Sequence, residues 1–297
     1  MKKVSTHILL IFILTSLIIS GKLSGQVTVQ VLTKTISGDE QWEPGMKLEV
    51  NGENAEIYCT SHNENTIQWE VQLIAKHPNK TIAEDDLKNL KLVTGVIGKK
   101  LVLRNYIEVE KNKSRPESNL KAIYHIKIPK DCPLIINNYF GKIGLANISG
   151  NLEINSEFAG ISMKNISGRT KIDSKLGDIS ADSISGWFDI TANRSNISMT
   201  NISGTINIDA ILGEIKLSEF NEITSLILEA KKSEVNIISE NKFRWLLDIE
   251  NVKFSPPAWM KPSINKNTEK TIEVNFTEMP TKPLIQISLN IGTLEIK

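Results

Sequence analysis

The sequence predicts an all-β protein, a parallel β-solenoid (single-stranded β-helix-like) with 18-residue coils, preceded by a β-rich N-terminal region. Three observations predict it. Isoleucine returns at Ile148, Ile166, Ile184 and Ile202, each eighteen residues after the last. Each of those isoleucines opens an Ile-Ser-Gly triplet, and a glycine at a fixed phase marks a recurring bend that needs backbone freedom. Between the triplets, apolar and polar residues alternate with the period of two that belongs to strands with one buried face.

Composition points the same way. Isoleucine and asparagine are abundant while aromatic residues are only 6% of the 297-residue chain. Branched isoleucine packs well on a pleated surface, and asparagine tolerates left-handed backbone at turns. A net charge of +1 leaves no basic stripe that would argue for nucleic acid.

The chain opens as an export signal, residues 1–25. Lys2 and Lys3 form the basic start, residues 8–19 are apolar apart from Thr15 and Ser16, and Leu23-Ser24-Gly25 offers a cleavage site before Gln26. The run is short for a spanning helix. No second long apolar run follows, so no membrane span is expected after cleavage. The β-rich N-terminal region covers 26–135. Alternation is clear in Ile67-Gln68-Trp69-Glu70-Val71-Gln72-Leu73 and in Ala122-Ile123-Tyr124-His125-Ile126-Lys127-Ile128. Asn51-Gly52 reads as a tight turn. Helical spacing at Leu87 and Leu90 suggests one short helix or turn within 82–92.

The solenoid region with its C-terminal cap covers 136–297. Units begin at Phe140, Phe158, Leu176, Arg194 and Leu212. The fourth position of each is isoleucine (Ile143, Ile161, Ile179, Ile197, Ile215), and the fifteenth is Ile154, Ile172, Ile190 and Ile208 in the first four. Each unit should supply two short inward-facing strands separated by the Ser-Gly bend. In the fifth, Leu226-Ile227-Leu228 arrives two residues late, so a bulge or longer corner is expected. Proline-rich 241–282 reads as a cap, and the segments around Ile287 and Leu294 as a closing strand pair.

The chemistry-bearing residues form no catalytic constellation. His62, His77 and His125 have no nucleophile and acid at triad spacing. There is no zinc spacing of cysteine and histidine, and no calcium loop, so neither a metal nor another cofactor is expected. Cys59 and Cys132 are compatible with a disulfide, which export permits, and equally with two buried free thiols. Asp173 and Asp209 recur at one outward phase, two units apart, a spacing that inverting polysaccharide hydrolases use; a solvated face explains them better. Outward Glu153, Lys171, Asp189 and Asn207 read as cross-strand pairing, and Asn147, Asn165, Ser183 and Asn201 as a structural turn ladder. One feature exceeds what folding requires: Trp187 should stand on an outward face beside Arg169, either as a ligand contact or sequestered by the cap or a cation–π pair.

The opening Trp42-Glu43-Pro44-Gly45-Met46-Lys47-Leu48-Glu49-Val50, the Ile126-Lys127-Ile128-Pro129 lead into Gly-x-Ile-x-Leu units, and the terminal Ile291-Gly292-Thr293-Leu294-Glu295-Ile296 resemble the adhesin family of β-strand-repeat proteins, the DUF4097 type, related to auto-transporter adhesin head domains. The resemblance covers the whole mature chain. It implies an extracytoplasmic solenoid linked to the cell surface or to envelope-stress responses, with no catalytic residues to carry over. The functional expectation is an exported, non-enzymatic envelope protein of bacterial type, an adhesin or surface-interaction module, its partner a surface glycan or an envelope protein. It would be periplasmic, outer-membrane-associated or extracellular. An accessory role in envelope-stress sensing is the second reading, and a polysaccharide-active enzyme the third.

Overall fold

The computed structural model describes residues 28–109, 114–239, 243–261, 264–267, 271–274 and 283–297. The expected signal segment lies outside the described residues, as does part of the expected cap. Among the described residues no helix is long and apolar enough to cross a membrane. In chain order the elements are β1 (Gln30–Gln41), β2 (Lys47–His62), β3 (Thr66–His77), the helix α1 (Lys80–Asn89), β4 (Leu90–Ile97), β5 (Lys100–Ile107) and β6 (Asn119–Pro129). Then come β7 (Leu134–Ile148), β8 (Leu152–Ile166), β9 (Arg169–Lys175), β10 (Ile179–Ile184), β11 (Trp187–Asn193), β12 (Ile197–Ile211), β13 (Glu214–Ser218) and β14 (Phe220–Ile238). The last are β15 (Arg244–Phe254), β16 (Ile264–Asn267), β17 (Thr271–Val274) and β18 (Leu284–Ile296).

All-β character is as expected, but the expected solenoid is corrected. β8 pairs with β10, β10 with β12, β12 with β11, β11 with β9 and β9 with β8, all in parallel. These five strands close on themselves into a barrel-like ring, and many further strands lie outside it. The reason is local. Coils of separate short strands require a break at each corner, whereas β8 and β12 each run unbroken for 15 residues. β8 passes through Phe158 (φ 56°), and β12 through Asn201 (φ 53°) and Gly204 (φ 89°). A single left-handed residue redirects the backbone while its neighbours keep their ladder bonds. β8 therefore pairs with β9 through its first half and with β10 through its second, while β12 pairs with β10 through its first half and with β11 through its second.

Within this arrangement the eighteen-residue spacing is the register of the parallel pairs. Ile161 lies beside Ile179, and Ile179 beside Ile197; Ile154 lies beside Ile172, and Ile172 beside Ile190. These side chains are buried and belong to one continuous hydrophobic core that also takes in Leu48, Val50, Ile57, Leu103 and Tyr124 from the N-terminal strands. Each buried isoleucine contributes roughly 1.5–3 kcal/mol before conformational entropy is subtracted. The late arrival of Leu226 appears as two register shifts between Ile202 and Thr205, where β14 supplies two extra residues opposite β12.

The N-terminal strands join the same sheet. β2 runs parallel to β5, β6 and β7, β3 lies antiparallel between β1 and β6, and β4 pairs antiparallel with β5. Asn51-Gly52 is not a turn, because β2 continues straight through it. The glycine is required for a different reason: a Cβ there would collide with the side-chain oxygen of Asn138. The helix, Lys80–Asn89, overlaps the expected 82–92 and starts two residues earlier, with Asn79 as N-cap accepting from the amides of Thr81 and Ile82. Leu90 belongs to the following strand. β18 is a single strand rather than a closing pair, and it lies between β14 and β15, parallel to both.

Cys59 and Cys132 are both buried, and both are free thiols. Burial pushes the Cys59 thiol far above its ordinary range, with a further contribution from nearby Cys132. Burial likewise pushes Cys132 up to about 12. Only the thiolate is a good nucleophile. Neither cysteine should react with a thiol-specific disulfide reagent until the protein is unfolded in denaturant. Rapid labelling of the native protein would contradict this arrangement.

The bends make a second prediction. Gly204 sits at φ 89°, and a Cβ there would strike the backbone carbonyl of Gly186 on the neighbouring strand. Gly204→Ala should destabilise by roughly 1–3 kcal/mol, since strain at a left-handed position adds to the collision. Gly95→Ala, at a position with open space around it, should stay within about 0.5 kcal/mol of the parent. Urea unfolding midpoints of the two variants check this, and equal midpoints would count against the bend geometry.

Candidate functional site

Alternation along each strand leaves the sheet with outward rows, because residues two apart share a face. Trp187 opens β11 between Arg169 of β9 and Thr205 of β12. The Arg169 guanidinium carbon lies 4.9 Å from the indole centroid. The cation–π contact expected of Trp187 forms, and 46% of the residue stays exposed. Such a contact at an exposed site is worth about 0.5–1 kcal/mol, enough to orient a ring without burying it.

The same face carries the acidic row. Asp173 and Asp209 flank Thr191, but they open into different depressions. Asp173 lines a cleft with Asn155 and Lys175, whereas Asp209 lines another with Glu229 and Asp248. They do not face one another across a shared site, as a hydrolytic pair must. Glu153, Lys171, Asp189 and Asn207 form the expected cross-strand row. The ladder at Asn147 is structural: Asn147, Asn165, Ser183 and Asn201 all adopt left-handed backbone, and Asn165 Nδ2 donates to Asn147 Oδ1 at 2.9 Å.

A second set of asparagines was not anticipated. Because β2 continues through Gly52, Asn51 stands beside Asn137 of β7, which stands beside Asn155 of β8. Asn155 Nδ2 donates to Asn137 Oδ1 at 2.8 Å, and Asn137 Nδ2 donates to Asn51 Oδ1 at 2.8 Å. Asn51 Nδ2 donates to Glu49 at 2.9 Å, and the other Glu49 oxygen accepts from Lys100 Nζ at 2.6 Å. Hydrogen bonds from Asn51 and then Lys100 hold the Glu49 carboxyl below the usual range, against the opposing effect of burial. The row borders a cleft of about 510 Å³, whose walls include Arg104, Asn138, Tyr139 and Asp173. The sequence signal existed, since Asn137 and Asn155 are eighteen apart, but Asn51 lies 86 residues from its partner.

On the opposite outward phase, Tyr58 of β2 stacks on His125 of β6, with centroids 5.5 Å apart and planes 16° from parallel. The Tyr58 hydroxyl donates to Glu56 at 3.0 Å; burial first, and that bond second, raise its proton affinity. Gly144 on the neighbouring strand makes room, because a Cβ there would lie 2.8 Å from the tyrosine ring. The result is a groove of about 760 Å³ with Gly144, Ala146 and Ser162 beside the stacked rings. His125 is thus a surface side chain in a ring stack. His62 and His77 make turn contacts instead, with the carbonyls of Thr66 and Asn79. Among the described residues no three histidine, cysteine or carboxylate side chains gather as a metal site would require.

No family model and no curated protein sequence matches the chain. Solved structures similar to it include one described as a "putative cell adhesion protein" from Clostridium sporogenes, at 12% identity over 91% of this chain and 99% of that one, with a TM-score of 0.27. Another is described as a "putative adhesin" from Bacteroides fragilis, at 12% identity over 89% and 97%, with a TM-score of 0.29. A third is described as a "putative lipid binding protein" from Parabacteroides distasonis, at 16% identity over 90% and 97%, with a TM-score of 0.31. Those descriptions belong to those proteins, and the functional reading rests on the geometry of this chain.

Proposed function

We propose that the chain is an exported, non-enzymatic surface-interaction protein of adhesin type, which uses its flat outward strand faces to contact a surface glycan or an envelope protein. The export signal read from Lys2 through Gly25 supports the compartment. The observation that carries the contact reading is Trp187. A large ring, half exposed and steered by Arg169, stands on a rigid strand among polar neighbours. Aromatic side chains of this kind give a large contact area at low entropic cost and dominate many interfaces. Arg169 is the second contact residue, a cation beside the open edge of the ring.

Trp187→Ala should weaken binding to an immobilised glycan panel or to envelope extract at least tenfold, about 1.4 kcal/mol. The unfolding midpoint should move little, since the residue contributes an exposed cation–π contact of about 0.5–1 kcal/mol to the fold. Undiminished binding would remove Trp187 from the contact surface. A large loss of stability would show that its role is in folding.

A further inference from the structure

The cleft beside Asn51, Asn137 and Asn155 is built more elaborately than sheet packing requires. Each amide in the row spends one donor on the next residue, and Asn137 and Asn51 each spend one acceptor position on the previous one. A side-chain amide has two N–H groups and two acceptor positions. Every amide therefore keeps one N–H for a partner outside the row, and no donor among the described residues meets the Oδ1 of terminal Asn155. The orientation of the row is fixed from its far end, where Glu49 is held by Lys100 at 2.6 Å. Donors and acceptors ordered before binding lose little entropy when a ligand arrives.

Three further observations describe the cleft. Asn138 borders the same cleft at 4% exposure; its Nδ2 donates to the Ala55 carbonyl at 3.0 Å, while its Oδ1 has no partner. That oxygen is itself buried against Gly52, so Asn138 braces the wall of the cleft and leaves ligand contacts to its neighbours. Arg104 and Lys175 are opposed by Glu53, Glu157 and Asp173, so the cleft favours neither a polyanion nor a polycation. Tyr139 stands at the rim, 45% exposed, braced edge-on against Phe140 and Phe158 with centroids at 4.5 and 5.7 Å. Ordered amides with a braced aromatic ring suit a molecule that carries hydroxyls on its edges and C–H groups on its faces.

We propose that this cleft binds an uncharged, polyhydroxylated ligand, a neutral glycan segment, with Asn155 and Tyr139 as its principal contacts. The proposal deepens the surface-interaction reading above and rests on it. β8, β9 and β11 are adjacent, and Trp187 lies about 10 Å across the strands and about 13 Å along them from Asn155. A short oligosaccharide can span both contacts.

The test uses the full mature chain against immobilised neutral oligosaccharides (glucans, mannans and galactans), with uronic-acid and sulfated glycans alongside. The wild type should bind neutral glycans with an affinity that salt leaves unchanged. Asn155→Ala and Tyr139→Ala should each weaken that binding at least tenfold, with unfolding midpoints close to the parent. Unchanged binding by both variants, with loss only in Trp187→Ala, would overturn the cleft proposal and leave the surface-interaction reading standing. Loss in the cleft variants with Trp187→Ala unaffected would support the cleft and count against the tryptophan contact. Binding of charged glycans only, or of no glycan, would overturn the cleft proposal, and capture of an envelope protein in the same assay would still sustain the broader reading. Loss of stability in both cleft variants with binding retained would assign the amide row to folding, and would overturn the proposal as well.

Discussion

Parallel hydrogen-bond ladders place each residue beside the one a fixed number of positions further along, and from β7 to β12 that number is eighteen. Like residues then stack on like. An isoleucine at one phase becomes a buried row, an asparagine at another becomes a chain of amides, and a lone tryptophan is flanked by whatever its neighbours carry. The outward rows are as strictly positioned as the core because the same backbone bonds set both. A surface so constrained is suited to recognition, since its side chains need little ordering when a partner arrives.

Much of this was legible in the chain. Inward rows follow from the phase of Ile143, Ile148 and Ile154 and their successors, and the neighbours of Trp187 follow from counting eighteen residues in each direction. The ring closure was not legible. It depends on Phe158 and Asn201 taking left-handed backbone inside continuous strands. Phenylalanine gives no sign of such a conformation, which sequence patterns attach to glycine and asparagine. Asn51-Gly52 misled for the converse reason. Its glycine answers to a side chain 86 positions away, Asn138, and not to a local bend. The amide row was hidden by the same long-range pairing between β2 and β7.

The left-handed positions also explain an oddity of the surface. Phe140, Phe158, Leu176 and Leu212 all take positive φ and are all exposed. Each would be easier to accommodate as glycine on backbone grounds, and as a polar residue on solvation grounds. Two of the four brace Tyr139 at the cleft rim. For that pair, the local cost is offset by a rigid ring at the place where the polar face begins.

The position of β18 constrains how the chain can assemble. Its neighbours β14 and β15 come earlier in the sequence, and among the described residues they are hydrogen-bonded to one another only through it. Without β18, the facing edges of β14 and β15 would present unpaired amides and carbonyls. Among the described residues β15 would then keep only its antiparallel partner β17. Open edges of that kind recruit foreign strands, so a chain lacking β18 should be prone to aggregation. β18 seals both of those edges at once, bonded along each of its own sides.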